Sequence, residues 1–590
     1  MNIARNYHSI TKKLLGGIVM HVGDNLVGLL KQMKVDTVFG LPGGQTLPFY
    51  DAIKNSEGTI KHYSLRAEKS AAYAAVAYAR MTNKVGVCDA TVGPGAAEFT
   101  SGLGEAYNSS TPIFALISDI PLEWEHLRDR GNASQGLDQL EMVKPFTKWA
   151  ARVTSAKSLP DMVRNAFLKS VSGRPGPTVL SIHEDIFKQE CHGPVPTIPD
   201  DLGMYPRYRP SADRGQMEKA LSILFGAKKP VMMVGGGAML SGAGEEISAF
   251  AEYLTIPVLQ TFTGRGVMAD DHMLSIGLAG GIGTLSSKRL AEEADVVFLI
   301  GYKSGQNSTF TWTIPSAKQI VIYLDIDEAE IGRVFPTQAG LVGDVKQTIN
   351  EMLFLAKEKI VRPQYPDRLE WISKAKKDWK DFVADEISNQ EDSLKPQHVM
   401  EAINQAANPE DVLVCDASFS SGWGGVYFKH KKAGRKLITP RGLAGLGFGL
   451  PAAIGATAAI GNNGEVYLLA GDGGFGYTIG EMATLQSYGL KVIIIVLDNR
   501  NWGWMEWLNK LNYQKEYFHL PAIEFAKISE GFGLNGFRAK NGKDLAEALY
   551  EAKKSAISSV IHVDTKLWET PVLGFRDAYG SVHKAPVKYM

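Results

Sequence analysis

The sequence predicts an α/β protein built from three doubly wound parallel-sheet domains. Continuous apolar runs such as Val296-Val-Phe-Leu-Ile and Val492-Ile-Ile-Ile-Val-Leu recur along the chain, each suited to a strand buried on both faces. Helix-prone stretches separate them, which is the rhythm of strands joined by crossovers. The 590 residues also exceed what a single core can serve.

The first third has a short strand ending at Val38-Phe39-Gly40 and an Ala/Tyr-rich helix from Lys69 to Arg80. A strand follows at 85–92, a helix at 97–106 and a strand at 112–117. The proline-rich passage from Pro194 to Pro210 reads as an exposed linker. In the middle third Pro230-Val-Met-Met-Val runs into Gly235-Gly-Gly237, and strands are expected at Ile256–Leu259, Val296–Gly301 and Ile320–Asp327. A charged, helix-prone stretch from Lys357 to Glu386 leads to the last third. Strands are read there at Val412–Asp416, Val466–Gly471 and Val492–Asn499. The first and last thirds share a layout of strand, glycine turn (Gly93-Pro-Gly95; Gly471-Asp-Gly473), helix and second apolar strand, a weak internal repeat. The resulting division is an N-terminal extension (1–19), a first domain (20–190), a linker (191–210), a central Rossmann-like domain (211–356), a helical connector (357–394), a last domain (395–566) and a tail (567–590).

Composition narrows the function classes. Lys plus Arg (63) equals Asp plus Glu (63), so nothing points to nucleic acid or an anionic membrane surface. Cys88, Cys191 and Cys415 are far apart with no CxxC pair, which argues against disulfide frameworks and zinc knuckles and for a reducing, cytoplasmic setting. The uncharged stretch 442–464 is rich in Gly and Ala and contains Pro451, so it reads as a buried turn and helix and not as a membrane span. The first 23 residues carry Arg5, Lys12 and Lys13 and no acid, faintly like a transit peptide.

The chemistry concentrates in Gly471-Asp472-Gly473-Gly474 and Leu497-Asp498-Asn499-Arg500-Asn501-Trp502-Gly503. The glycine turn follows a strand and opens a helix, so its backbone N–H groups can face a phosphate. Asn499 lies 27 residues after Asp472, the length of one strand–helix–strand crossover. That spacing sets two strand ends side by side, where α/β sheets bind ligands. A carboxylate, an amide oxygen and a backbone carbonyl are hard donors suited to Mg²⁺.

This pairing resembles the diphosphate-binding signature of thiamine-diphosphate enzymes, and the chain over roughly residues 20–565 is similar to their acetolactate synthase and pyruvate oxidase branch. The resemblance makes the first domain pyrimidine-binding and the last diphosphate- and Mg²⁺-binding. It implies thiamine diphosphate and Mg²⁺ as cofactors, with Asp472 and Asn499 as side-chain metal ligands and Asn501 giving an oxygen, expected from its main chain. Gly471, Gly473, Gly474 and Gly503 belong to the same signature. Arg66-Ala-Glu68-Lys-Ser-Ala-Ala-Tyr resembles the segment of the family glutamate. By that match Glu68 hydrogen-bonds N1′ of the aminopyrimidine and favours the imino tautomer that removes the thiazolium proton. Val38-Phe-Gly-Leu-Pro-Gly-Gly44 and Gly93-Pro-Gly95 match family turns, although Glu98 stands where Asn is usual, and Gln135 falls where the family has an active-site glutamine. Gly442-Leu-Ala-Gly-Leu446-Gly-Phe-Gly-Leu-Pro resembles the segment cradling the cofactor's middle. Leu446 would be the wedge bending it into a V, and the Ala444 carbonyl the acceptor for the 4′-amino group. Ser418, Ser420 and Ser421 would help hold the diphosphate in place of the family's Gln/His pattern.

The middle domain resembles the FAD-binding domain of acetolactate synthases in Gly235-Gly-Gly237, Gly280-Gly-Ile-Gly-Thr284 and Asp325–Gly332. The arginine-bearing flavin segment is replaced by Gly301-Tyr-Lys-Ser-Gly-Gln, so FAD or an adenine nucleotide stays open. The implied activity is decarboxylation of a 2-oxo acid such as pyruvate followed by carboligation to a second carbonyl compound. The alternatives are a non-ligating decarboxylase or C–C hydrolase, or a flavin- or nucleotide-binding protein without thiamine chemistry. No His-His pair follows the cofactor turns, which argues against a simple pyruvate decarboxylase, and the irregular spacing of Trp502, Trp504 and Trp507 leaves the acceptor open. The family arrangement implies a homodimer or dimer of dimers with the active site at the subunit interface.

Overall fold

The computed structural model describes residues 19–192, 194–359, 365–388, 394–513, 517–565 and 569–573. Nearly all of the extension read at 1–19, and tail residues 567–568 and 574–590, lie outside them. The chain forms two compact units, 1–207 and 208–590.

In the first unit, β1 (Val19–His21) pairs antiparallel with β8 (Glu190–His192). The main sheet has six parallel strands: β2 (Thr37–Gly40), β3 (Lys61–Ser64), β4 (Gly86–Ala90), β5 (Ile113–Asp119), β6 (Trp149–Val153) and β7 (Thr178–His183), in the order β3-β2-β4-β5-β7-β6. Helices α1 (Glu68–Thr82) and α2 (Pro94–Asn108) cross over it. Helix α1 is buried on all sides from Ser70 to Arg80, which explains its alanine run. A Cβ placed on Gly102 of α2 would lie 2.3 Å from the Ala72 Cβ, so small residues set how closely the two helices approach. The proline-rich passage is not a free linker. Ile198, Leu202 and Gly203 are buried, and Val85 N–H donates to the Gly203 carbonyl at 2.9 Å.

The second unit holds two sheets. The central one contains β9 (Pro230–Val234), β10 (Val258–Gln260), β11 (Ser275–Leu278), β12 (Val296–Ile300), β13 (Ile320–Asp325) and β14 (Ala339–Val342), ordered β11-β10-β9-β12-β13-β14. This is the dinucleotide-fold order, with helix α3 (Gly236–Ser241) after β9. The expected connector contains α4 (Pro366–Ser388). The last sheet has β15 (Val412–Cys415), β16 (Leu437–Ile438), β17 (Val466–Gly471), β18 (Ile493–Asp498), β19 (Asn535–Ala539) and β20 (Ser559–Asp564), ordered β16-β15-β17-β18-β20-β19. Strand for strand this repeats the first sheet, so the repeat seen in layout is a repeat of topology. Its helices include α5 (Phe419–Tyr427), α6 (Gly449–Ile460), α7 (Asp472–Gly476) and α8 (Gly503–Tyr513). Every pairing within the three sheets is parallel. In each sheet the chain reverses its direction of winding beside the first strand. The switch-point crevices lie between β2 and β4, β9 and β12, and β15 and β17. Among the described residues no helix is long and apolar enough to cross a membrane.

Candidate active site

The β15/β17 crevice opens into a cavity of about 430 Å³. Its lining gathers Ser418, Ser420, Ala444, Leu446, Gly471, Asp472, Gly473, Gly474, Asn499, Asn501 and Gly503. Ser421 does not line it; its hydroxyl donates to the Asp416 carbonyl at 2.6 Å, behind the cavity wall.

Asp472 begins α7 at the end of β17, and Asn499 follows β18, the adjacent strand. Asp472 Oδ2 and Asn501 Oδ1 are buried with no hydrogen-bond partner among the described residues. Burial and the neighbouring Asp498 carboxyl push Asp472 up to about 7. Asp498 accepts from the Arg500 N–H at 2.9 Å and pairs with His562 Nε2 at 2.8 Å, a contact that holds its own pKa down against burial. Asn501 N–H donates to Asn499 Oδ1 at 3.1 Å, and a Cβ on Gly503 would meet Asn499 Nδ2 at 2.9 Å, so Gly503 leaves room for that amide. Gly473 lies under the Trp502 ring, where a Cβ would be 2.4 Å from it.

Asp416, at the end of β15, was invisible as a site residue in the sequence. Its fully buried carboxyl accepts N–H groups from Ala417, Gly447 and Gly449, which pins the loop carrying Ala444 and Leu446 to the crevice. Burial pushes it up to about 6 despite those donors. Ala444 takes a left-handed conformation with φ 56°. Other lining residues come from distant positions: Ile282 and Asn307 from the central sheet's loops, Trp423 from α5, and Glu569 from the expected tail. No local pattern marks them. Glu569 is placed by Gln397 Nε2, which donates to its Oε2 at 2.8 Å.

In the first unit Glu68 is the first residue of α1 and is buried. A Cβ on Gly95 would meet Glu68 Oε1 at 2.7 Å, so the carboxyl lies against the Gly93–Gly95 turn. Burial pushes Glu68 above the usual carboxylate range, and the Glu98 and Asp89 charges add to it. Gln135 is exposed, with φ 62°, and its backbone packs on Gly93. The buried glutamine of this segment is Gln139, whose amide accepts from Gly93 N–H at 3.2 Å and donates to the Ser118 carbonyl at 2.7 Å.

Residues 20–142 match the N-terminal TPP binding domain of thiamine pyrophosphate enzymes, 217–352 the central domain, and 416–563 the C-terminal TPP binding domain. The chain belongs to the thiamine pyrophosphate enzyme family. It is 31% identical to a probable acetolactate synthase large subunit of Methanococcus aeolicus over 90% of each chain. It is 32% identical to the acetolactate synthase large subunit of Lactococcus lactis over 88% of each. To an acetolactate synthase of Mycobacterium bovis it is 30% identical over 92% of this chain and 88% of that one.

The Asp472 and Asn501 oxygens fit a thiamine pyrophosphate enzyme's diphosphate-bound divalent cation: both are hard donors, buried, and without a partner among the described residues. The central β9/β12 crevice is different. Gly237 N–H donates to the Gly301 carbonyl at 3.0 Å, and a Cβ on Gly301 would lie 2.6 Å from the Ala238 nitrogen. These glycines let the two turns pack closely on each other.

Proposed function

We propose that this enzyme is a thiamine-diphosphate- and Mg²⁺-dependent decarboxylating carboligase of the acetolactate-synthase type, acting on a 2-oxo acid such as pyruvate. The observation that carries the reading is the single cavity in which Asp472, Asn499 and Asn501 converge beside the Leu446 loop. When bound, the thiazolium supplies a nucleophilic carbon and an electron sink for breaking and making the C–C bond. Asp472 and Asn499, with an oxygen of Asn501, hold the metal against the diphosphate, and the glycine turn at Gly471–Gly474 lets its backbone approach. Leu446, fixed through Asp416, enforces the bent conformer. Glu68, with its raised affinity for a proton, holds one at the aminopyrimidine N1′. Phe419, Trp423, Trp502 and Trp504 wall the cavity with aromatic surface, which excludes water and favours attack on a second carbonyl compound over protonation. Carboligation after decarboxylation is redox-neutral, so the proposal has no flavin step. Gln135 joins Glu68 as a candidate contact through its place beside the Gly93 turn.

The proposed assembly is a homodimer or dimer of dimers, with Glu68 of one subunit and the Asp472 set of its neighbour completing each site. Three free, buried cysteines fit a reducing cytoplasm. The test incubates holoenzyme with pyruvate, alone and with an aldehyde or a second 2-oxo acid. Release of CO₂ with a ligated product is expected. CO₂ with only the protonated aldehyde would move the enzyme to the decarboxylases, and no CO₂ from any 2-oxo acid would overturn the reading.

A further inference from the structure

A second cavity, of about 760 Å³, lies at the opposite end of helix α5 and shares no lining residue with the first. It is bounded by β11, by the face of α4 and by the segment that follows α5. Ile276, Trp379, Val383, Tyr427 and Phe428 make its apolar wall. A volume of this size is ample for an organic molecule of cofactor dimensions.

The charges around it do not cancel. Arg265 is matched by Asp270 at 2.6 and 2.8 Å, Lys377 by Asp381 at 2.7 Å and Lys429 by Glu401 at 3.0 Å. Lys376 and Lys431 instead donate to the His272 and Ala407 carbonyls, each at 2.6 Å, and neutral carbonyls leave their charge in place. Lys380 is exposed on the rim and makes no ion pair among the described residues. Three uncancelled cations therefore face one remaining acid, Asp271. Five polar residues of the lining are almost wholly buried: Arg265 at 2% exposure, His430 and Thr284 at 1%, Ser275 at 3% and Ser286 at 4%. The His430 ring is sealed behind this wall, with its Nδ1 3.4 Å from Asp270 Oδ2. An apolar wall beside uncancelled positive charge suits an organic anion with an apolar body.

We propose that this cavity is a second binding site, for an organic anion whose apolar ring system lies against Trp379 and Tyr427 and whose carboxylate or phosphate meets Lys380 and Lys431. The site is distinct from the cofactor cavity and does not depend on the reaction assigned to it.

The test uses holoenzyme saturated with thiamine diphosphate and Mg²⁺, so that the first cavity is filled. 1-Naphthoate and ADP are titrated separately by calorimetry, which tells a carboxylate ligand from a phosphate one. One of them is expected to bind at about one equivalent per chain. Two variants, Lys380→Glu/Lys431→Glu and Val383→Trp, should each weaken it at least about tenfold, with turnover and Tm unchanged. Where the tryptophan variant does not fold, Val383→Phe takes its place. Absence of saturable binding by either probe overturns the proposal, as does binding that both variants leave intact. Loss in the charge variant alone also overturns it, because the anion would then be held by surface charge and not by the cavity.

Discussion

Asp416 accepts three backbone N–H groups while fully buried, and its carboxyl keeps a proton to about pH 6 instead of the ordinary 3.8. Between those values the folded chain binds more protons than the unfolded one, so stability falls as pH rises through that window and is flat above it. An Asp416→Asn variant lacks this slope. Its denaturation midpoint should lie below that of the native enzyme, since an amide places N–H against N–H, at a cost of about 1–3 kcal/mol. The gap should narrow by about 1 kcal/mol from pH 5 to pH 6.5, read from urea midpoints. Glu68→Gln tests a different property, proton transfer: turnover should fall about 10²–10⁴-fold while thiamine diphosphate still binds, measured by calorimetry. The Asp472–Asn499 pair was legible in sequence because each sits in a glycine- or asparagine-rich turn one crossover apart. Asp416 was not, since a lone acid after a strand carries no pattern, and neither was the burial of Gln139, four residues after the exposed Gln135, because sequence does not show which side chain turns inward.

At the level of elements, ten strands were readable: β2, β4 and β5, then β9, β10, β12 and β13, then β15, β17 and β18. All are interior, with apolar runs that both faces bury. The six strands that went unread at sheet edges (β3, β6, β11, β14, β16 and β19) have shorter or mixed sequences, as in Trp149-Ala-Ala-Arg-Val. Two interior strands, β7 and β20, were also missed because Ser181, His183 and His562 interrupt their runs. Two of them form buried hydrogen bonds to residues described above: Ser181 Oγ accepts from Gln139 Nε2 at 3.2 Å, and His562 pairs with Asp498 at 2.8 Å. Packing between turns offers a direct test. Gly301→Ala adds a Cβ where φ is 53° and the Ala238 nitrogen is 2.6 Å away, whereas Gly242→Ala, at φ 64°, meets open space. The first should lose about 2–4 kcal/mol and the second about 1–2, read as the fall in Tm of each variant.

For the whole molecule, the three-domain plan was legible because each sheet is a self-contained run of strands and crossovers, whereas the joints between them were not. The stretch expected as a linker is bonded into the first unit, through Gly203 and through Gln32, whose Oε1 accepts from Ile198 N–H at 2.8 Å. Subunit sharing is tested by mixing inactive Glu68→Gln with inactive Asp472→Ala under conditions of subunit exchange. Shared sites give a heterodimer with one doubly damaged and one intact site, so activity should return to about a quarter of the native level at equal mixing, half the dimers being mixed and half their sites intact. Confirmed exchange with no recovery would mean that each chain completes its own site. The antiparallel pairing of Val19–His21 with Glu190–His192 has a consequence for engineering. It ties the start of the first unit to chain that follows Gly173, an exposed bend. A first unit of residues 19–207 cut at Gly173 would keep all six strands of its main sheet unbroken, and the two pieces would stay joined through this pairing and through β7, which lies between β5 and β6.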